Sequence, residues 1–167
     1  MKELTVAELN EVDSEIFVDI LGGIYETSPW VAERASEARP FDSVDEIQET
    51  MKRVVQSATR EEKLELLRAH PDLGERTEMT DASKKEQASA GLDQLSEEQY
   101  EAFQRLNEQY REKFGFPFIM AVKNESAEVI REAMERRVEQ SNSAEFQTAI
   151  EEVHTIARFR LEELLTS

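Results

Sequence analysis

The sequence predicts an all-α fold, roughly seven to nine helices gathered into a single compact domain over residues 1–167. Three observations carry that expectation. Apolar residues recur at helical spacing along nearly the whole chain, while alternating apolar and polar runs of strand type are scarce. Ser or Thr followed three positions later by Glu or Gln, a helix-start signature, precedes several of those stripes. Glycine and proline fall at the stripe ends, with no obvious linker or repeat between them.

Each element follows in turn. Val12, Ile16, Phe17, Ile20 and Leu21 make an amphipathic start that loosens at Gly22-Gly23, ahead of Ile24-Tyr25-Glu26. Ser28-Pro29-Trp30 opens a short helix with proline near its first position. Arg39-Pro40-Phe41 ends it, because the residue before proline avoids the helical region. Ser43 with Glu46 is a capping pattern ahead of an apolar face of Val44, Ile47, Met51, Val54 and Val55. Thr59 with Glu62 repeats the device for a helix whose Leu64 and Leu67 face inward and which must stop at or before Pro71. Residues 72–79, with Leu73-Gly74, read as a loop. The next helix starts near Asp81 and is closed by Gly91. Ser96 with Gln99 caps a longer one carrying Tyr100, Phe103, Leu106 and Tyr110. Phe114-Gly115-Phe116-Pro117-Phe118-Ile119 breaks that helix, and two more follow at roughly 125–140 and 144–165.

Composition excludes several kinds of chemistry. There is no cysteine, so thiol nucleophiles, disulfides and thiolate metal sites are out. The histidines are His70 and His154, with no His-x-x-His or His-Glu-x-x-His spacing, so no metal site is expected. A formal charge of −17, with no basic stripe, argues against nucleic acid. No apolar run reaches bilayer length and the N-terminal stretch is not signal-like, which points away from the membrane and toward the cytoplasm. Seven of the twenty basic residues are lysine. An acid-rich, lysine-poor surface suits a salty cytoplasm, where screening relieves self-repulsion.

Four features could carry chemistry. His70 stands at a helix end just before a proline, where its ring can leave the helix and act as acid or base near neutral pH. A helix C-capping role is the plain alternative. Ser83, Glu86 and Gln87 lie three and four apart on one helical face and could present hydroxyl, carboxylate and amide together. Glu86 could also fix the tautomer of His70. An ordinary solvated stretch, Ser-Lys-Lys-Glu-Gln, is the other reading. The run from Phe114 to Met120 could set backbone polar groups beside apolar walls, suited to a flat heterocycle, or serve as core. Arg158 and Arg160 sit among apolar neighbours, and a partly buried guanidinium needs an anion, either substrate or a structural carboxylate. His154 and Trp30 read as structural, Trp30 as a core anchor beside Pro29.

Taken in order, Phe17 with Leu21-Gly22, Tyr25 to Ala32, Arg39-Pro40-Phe41, His70-Pro71-Asp72-Leu73-Gly74, Ser83-x-x-Glu86-Gln87 with Ala90-Gly91-Leu92, Phe114 to Ile119, and Ile156-Ala157 with Arg160-Leu161 span nearly the whole chain. This set resembles the 2-oxo-4-hydroxy-4-carboxy-5-ureidoimidazoline (OHCU) decarboxylase family. The resemblance implies an all-helical OHCU decarboxylase-like fold, no cofactor, a homodimer, and conversion of a ureidoimidazoline acid to (S)-allantoin in urate degradation. It makes His70 the catalytic acid and Glu86 its partner. Pro71, the stretch Ser83, Lys84, Lys85, Glu86 and Gln87, and the segment Phe118, Ile119, Met120, Ala121 and Val122 would hold the substrate, with Arg160 on its polar edge. Arg158 stands only two residues away on another helical face. A helical interaction module without activity, or an enzyme for a different ureido or imidazoline acid, are the alternative readings; the polar set His70, Ser83, Glu86 and Gln87 weighs against the module.

Overall fold

A computed structural model of the chain describes residues 4–74 and 79–166. Among these it contains nine α-helices, a short 3-10 turn at Ser36–Ala38, and a two-residue parallel pairing of β1 (Leu4–Thr5) with β2 (Leu165–Thr166). The helices are α1 (Val6–Glu11), α2 (Ser14–Leu21), α3 (Trp30–Ala35), α4 (Val44–Gln56), α5 (Arg60–Arg68), α6 (Asp81–Ser89), α7 (Glu97–Phe114), α8 (Ala127–Arg137) and α9 (Asn142–Leu164). The all-α class is as the periodicity predicted. Half of the expected loop at 72–79, residues 75–78, lies outside the described residues.

The chain divides into two compact units, Met1–Ala69 with His154–Ser167, and His70–Val153. In the first, the expected opening helix is α2, starting at Ser14 rather than Val12, and α1 ahead of it was not expected. Asp13 accepts a hydrogen bond from Ile16 N–H and starts α2 afresh, and Val12 is the extended residue that ends α1. Arg39, extended before Pro40, turns back to donate to the carbonyls of Val12 (2.5 Å) and Leu9 (3.2 Å) and lies over the Phe17 ring. Leu9, Phe17, Leu21, Ile47, Met51, Val55, Leu66, Leu67 and Leu161 are fully or almost fully buried there. Leu66 rather than Leu64 is the inward leucine of α5, since α5 starts at Arg60 and its buried face is set by 66 and 67; Leu64 is half-buried. Trp30 is likewise no core anchor: it is half-buried, with the Arg34 guanidinium 4.7 Å above its ring.

Start signals work as local chemistry predicts. Thr59 with Glu62 and Ser96 with Gln99 close complete capping boxes. Ser43 caps Glu46 N–H, but the Glu46 carboxylate reaches Asp42 N–H instead of Ser43. In the second unit α6 ends with Gly91 at φ +75, Leu92 N–H on the Gln87 carbonyl and Gly91 N–H on Ala88, the hydrogen-bond pair of a left-handed helix stop. Gly115, at φ +81, ends α7 in the same left-handed region.

Candidate active site

His70 is the first residue of the second unit, directly after Ala69, the C-cap of α5. It is 7% exposed. Pro71 restricts the backbone that follows, and the next three residues are each fastened from within the unit. The Asp72 carboxylate takes a hydrogen bond from Arg111 at 2.7 Å, the Leu73 carbonyl takes one from Asn107 Nδ2 at 2.9 Å, and Gly74 N–H donates to Gln87 Oε1 at 3.0 Å. Gly74 has φ +75, and a Cβ there would come within 3.0 Å of Leu95 and Phe103. Burial raises the pKa of Asp72 above the usual carboxylate value even though Arg111 opposes the shift.

α6 buries one face. Ser83 and Gln87 are buried, Glu86 is half-buried, and Lys84 and Lys85 are exposed. Gln87 is used at both levels: its backbone carbonyl closes the helix end and its side chain holds Gly74. The segment that follows His70 is therefore hydrogen-bonded, through Gln87, to the helix that carries Glu86.

The run after Gly115 is non-helical up to α8, and its apolar side chains are core: Phe116, Phe118, Ile119 and Val122 are buried, while Met120 and Ala121 are half-buried. Tyr110 meets Phe114, Phe116 and Phe118 at ring centroids 4.5, 5.8 and 5.3 Å apart. Several backbone groups of this run are taken. Arg137 Nη1 donates to the Ile119 carbonyl at 2.7 Å, and Ala121 N–H donates to Glu152 at 3.0 Å. Arg137 is itself buried, over the Phe118 ring, and pairs with Glu145 at 2.6 Å, which also accepts from the Tyr110 hydroxyl at 2.6 Å. Asn124 N–H donates to Ser89 Oγ, tying the end of this run to α6.

Arg160 belongs to the first unit. Its guanidinium is buried against the Glu26 carboxylate (3.4 Å) and the carbonyls of Gly23 (3.2 Å) and Ile24 (3.5 Å). Arg158 is more exposed and pairs with Asp45 and Glu162. Of the two, Arg160 is the buried one, and Glu26 supplies a carboxylate for it.

The sequence did not single out Asn107, Arg111, Arg137, Glu145 or Glu152. Asn107 alone carried a legible signal, since it is a polar residue inside the α7 stripe formed by Phe103, Leu106, Tyr110 and Phe114. The others have partners too distant in sequence to be paired by spacing.

Compared with known proteins, residues 10–162 match the family model for OHCU decarboxylase. The chain belongs to the OHCU decarboxylase family. It is 65% identical to the 2-oxo-4-hydroxy-4-carboxy-5-ureidoimidazoline decarboxylase of Haloferax volcanii, over 100% of this chain and 99% of that one. The namesake in Halalkalicoccus jeotgali is 61% identical over 98% of this chain and 93% of its own length. Among solved structures, the crystal structure of an (S)-allantoin synthase superposes with a TM-score of 0.81 at 34% identity, covering 97% of this chain and 54% of that one. Membership bears out the resemblance drawn from the ordered segments, and the helical architecture agrees with it. Among the described residues, no helix of this family member is long and apolar enough to cross a membrane.

Proposed function

We propose that this chain decarboxylates OHCU to (S)-allantoin in urate degradation, without a cofactor, with His70 as the acid and Glu86 as its partner. The observation that carries the reading is the 65% identity to a protein of that name along the full length of both chains. The arrangement in the second unit supports it. A buried histidine stands on a segment tied to the helix bearing Ser83, Glu86 and Gln87.

The chemistry suits such parts. When the bond to the carboxylate breaks, carbon dioxide leaves and the electron pair moves toward the adjacent ring imine, so the substrate carries its own electron sink. The protein must orient the ring, stabilise the shifting charge and deliver a proton to one face. In this reading His70 supplies that proton, and Glu86 holds the imidazole in the required orientation. Pro71, Ser83, Lys84, Lys85, Gln87 and the segment Phe118–Val122 hold the ureido and ring groups, and Arg160 takes the polar edge. Because Ile119 C=O and Ala121 N–H serve Arg137 and Glu152, the substrate would use other groups of that segment. The homodimer and the cytoplasmic location belong to the same reading and rest on the family resemblance; sedimentation of the purified protein tests the dimer.

The deciding experiment generates OHCU freshly from urate and follows its loss by circular dichroism. The protein should accelerate the loss and yield optically active allantoin; decay at the spontaneous rate to racemic product would reject the reading. His70→Asn should remain folded and lose roughly 10²- to 10⁴-fold in kcat, the range of a general acid.

A further inference from the structure

We propose that Asn107 is a positioning residue for His70, acting through the Leu73 carbonyl. The inference rests on the reading of His70 as the acid. His70 opens the second unit, so its place relative to Glu86 depends on how the following residues are held there. Three side chains do this, and they approach from two helices: Gln87 from α6, Asn107 and Arg111 from α7. Arg111 is more than half exposed, and its salt bridge is the weaker tie. Gln87 already belongs to the substrate set.

Asn107 is different. It is 2% exposed and sits in an apolar stripe, where a leucine would fill the space without desolvating an amide. One end of its amide donates to Leu73, while Oδ1 is buried with no hydrogen-bond partner among the described residues. A buried amide half satisfied is a poor choice for stability and a good one for fixing a backbone atom. The carbonyl it fixes lies three residues after His70, across a proline that limits the backbone between them. Shortening or removing that donor releases the Leu73 carbonyl and lets the His70 ring drift relative to α6.

The test compares wild type with Asn107→Leu, and with Asn107→Ser, whose shorter side chain cannot reach the Leu73 carbonyl, as a second variant should Asn107→Leu not fold. Because the chain has two histidines, the imidazole proton resonances report His70 directly, with His154 as internal control. Asn107→Leu should lower kcat about 10- to 100-fold with KM within about twofold, as expected for a misplaced catalytic group. It should also reduce the enantiomeric excess of the allantoin formed and move the His70 resonance and its titration midpoint, leaving those of His154 in place. Asn107→Ser should produce the same pattern. A folded Asn107→Leu with wild-type kcat and an unmoved His70 resonance would overturn the proposal. So would a fall in kcat with the His70 resonance and the pH profile unchanged, since that is what a purely structural role gives. If the wild type itself does not accelerate OHCU loss, the functional reading fails, and the His70 resonance still decides whether Asn107 holds it.

Discussion

Burial keeps the His154 imidazole neutral: its pKa is lowered to about 4, chiefly by loss of solvation and then by the charge of Lys52. Burial also pushes the Tyr25 hydroxyl up, so the phenol stays protonated and shares a hydrogen bond with His154 Nδ1 across 2.6 Å. A histidine held neutral in the fold is protonated more readily in the unfolded chain. Its contribution to stability is therefore complete above about pH 6.5 and declines as pH falls from there toward 4, by about 3 kcal/mol at most. Urea unfolding of wild type and His154→Phe from pH 8 to pH 4 should show the stability gap shrinking by that order; a gap independent of pH would count against it. The Arg137–Glu145 pair behaves differently. Arg137→Met leaves a buried carboxylate behind and should cost about 3–5 kcal/mol, while the double variant Arg137→Met, Glu145→Leu should recover most of the loss. Thermal unfolding of the three proteins gives the comparison. Residues such as these were hidden in the sequence, because a lone Arg or Glu on a helix reads as solvated until its partner is known. His70, Ser83, Glu86 and Gln87 became legible through their order in a family pattern, and the ties that join them through Gly74 did not.

Helix ends were the most legible elements, because a cap needs only its own neighbours within three or four residues. Thr59→Ala and Ser96→Ala should each cost about 1 kcal/mol, measurable by denaturant unfolding. Where a start was misjudged, a local group explains it: Asp13 caps α2 so that the helix begins at Ser14 rather than at Val12, and Glu46 prefers the N–H of Asp42. The two glycines that follow His70 and α6 offer a cleaner comparison. Gly74 and Gly91 share φ +75, yet a Cβ at Gly91 meets nothing within 4 Å while one at Gly74 presses on Leu95 and Phe103. Both alanine variants carry the left-handed cost of about 1–2 kcal/mol. Gly74→Ala should cost more in unfolding experiments and should also disturb the His70 segment; equal costs would show that the neighbours give way freely.

Charge acts on the molecule as a whole. At −17, like-charge repulsion opposes the compact state at low ionic strength, and raising salt from about 0.1 M to 1 M shortens its range from about 10 Å to 3 Å. The melting temperature should rise over that series, and a flat response would remove the argument for a salt-adapted surface. The all-helical class was readable from composition and period; the division into two units was not, since nothing in a local pattern says that His154 onward joins the first sixty-nine residues. That division separates short closures from long ones. Within the second unit, the ties at Asp72, Leu73, Tyr110 and Arg137 join residues at most 39 positions apart. In the first unit Tyr25 waits for His154 and Glu26 for Arg160, separations of 129 and 134. Long closures are slow to form. A ribosome releasing this chain from its N-terminus would thus deliver the groups that tie Asp72, Leu73 and Gly74 while the helices made before them still lacked α9's final turns.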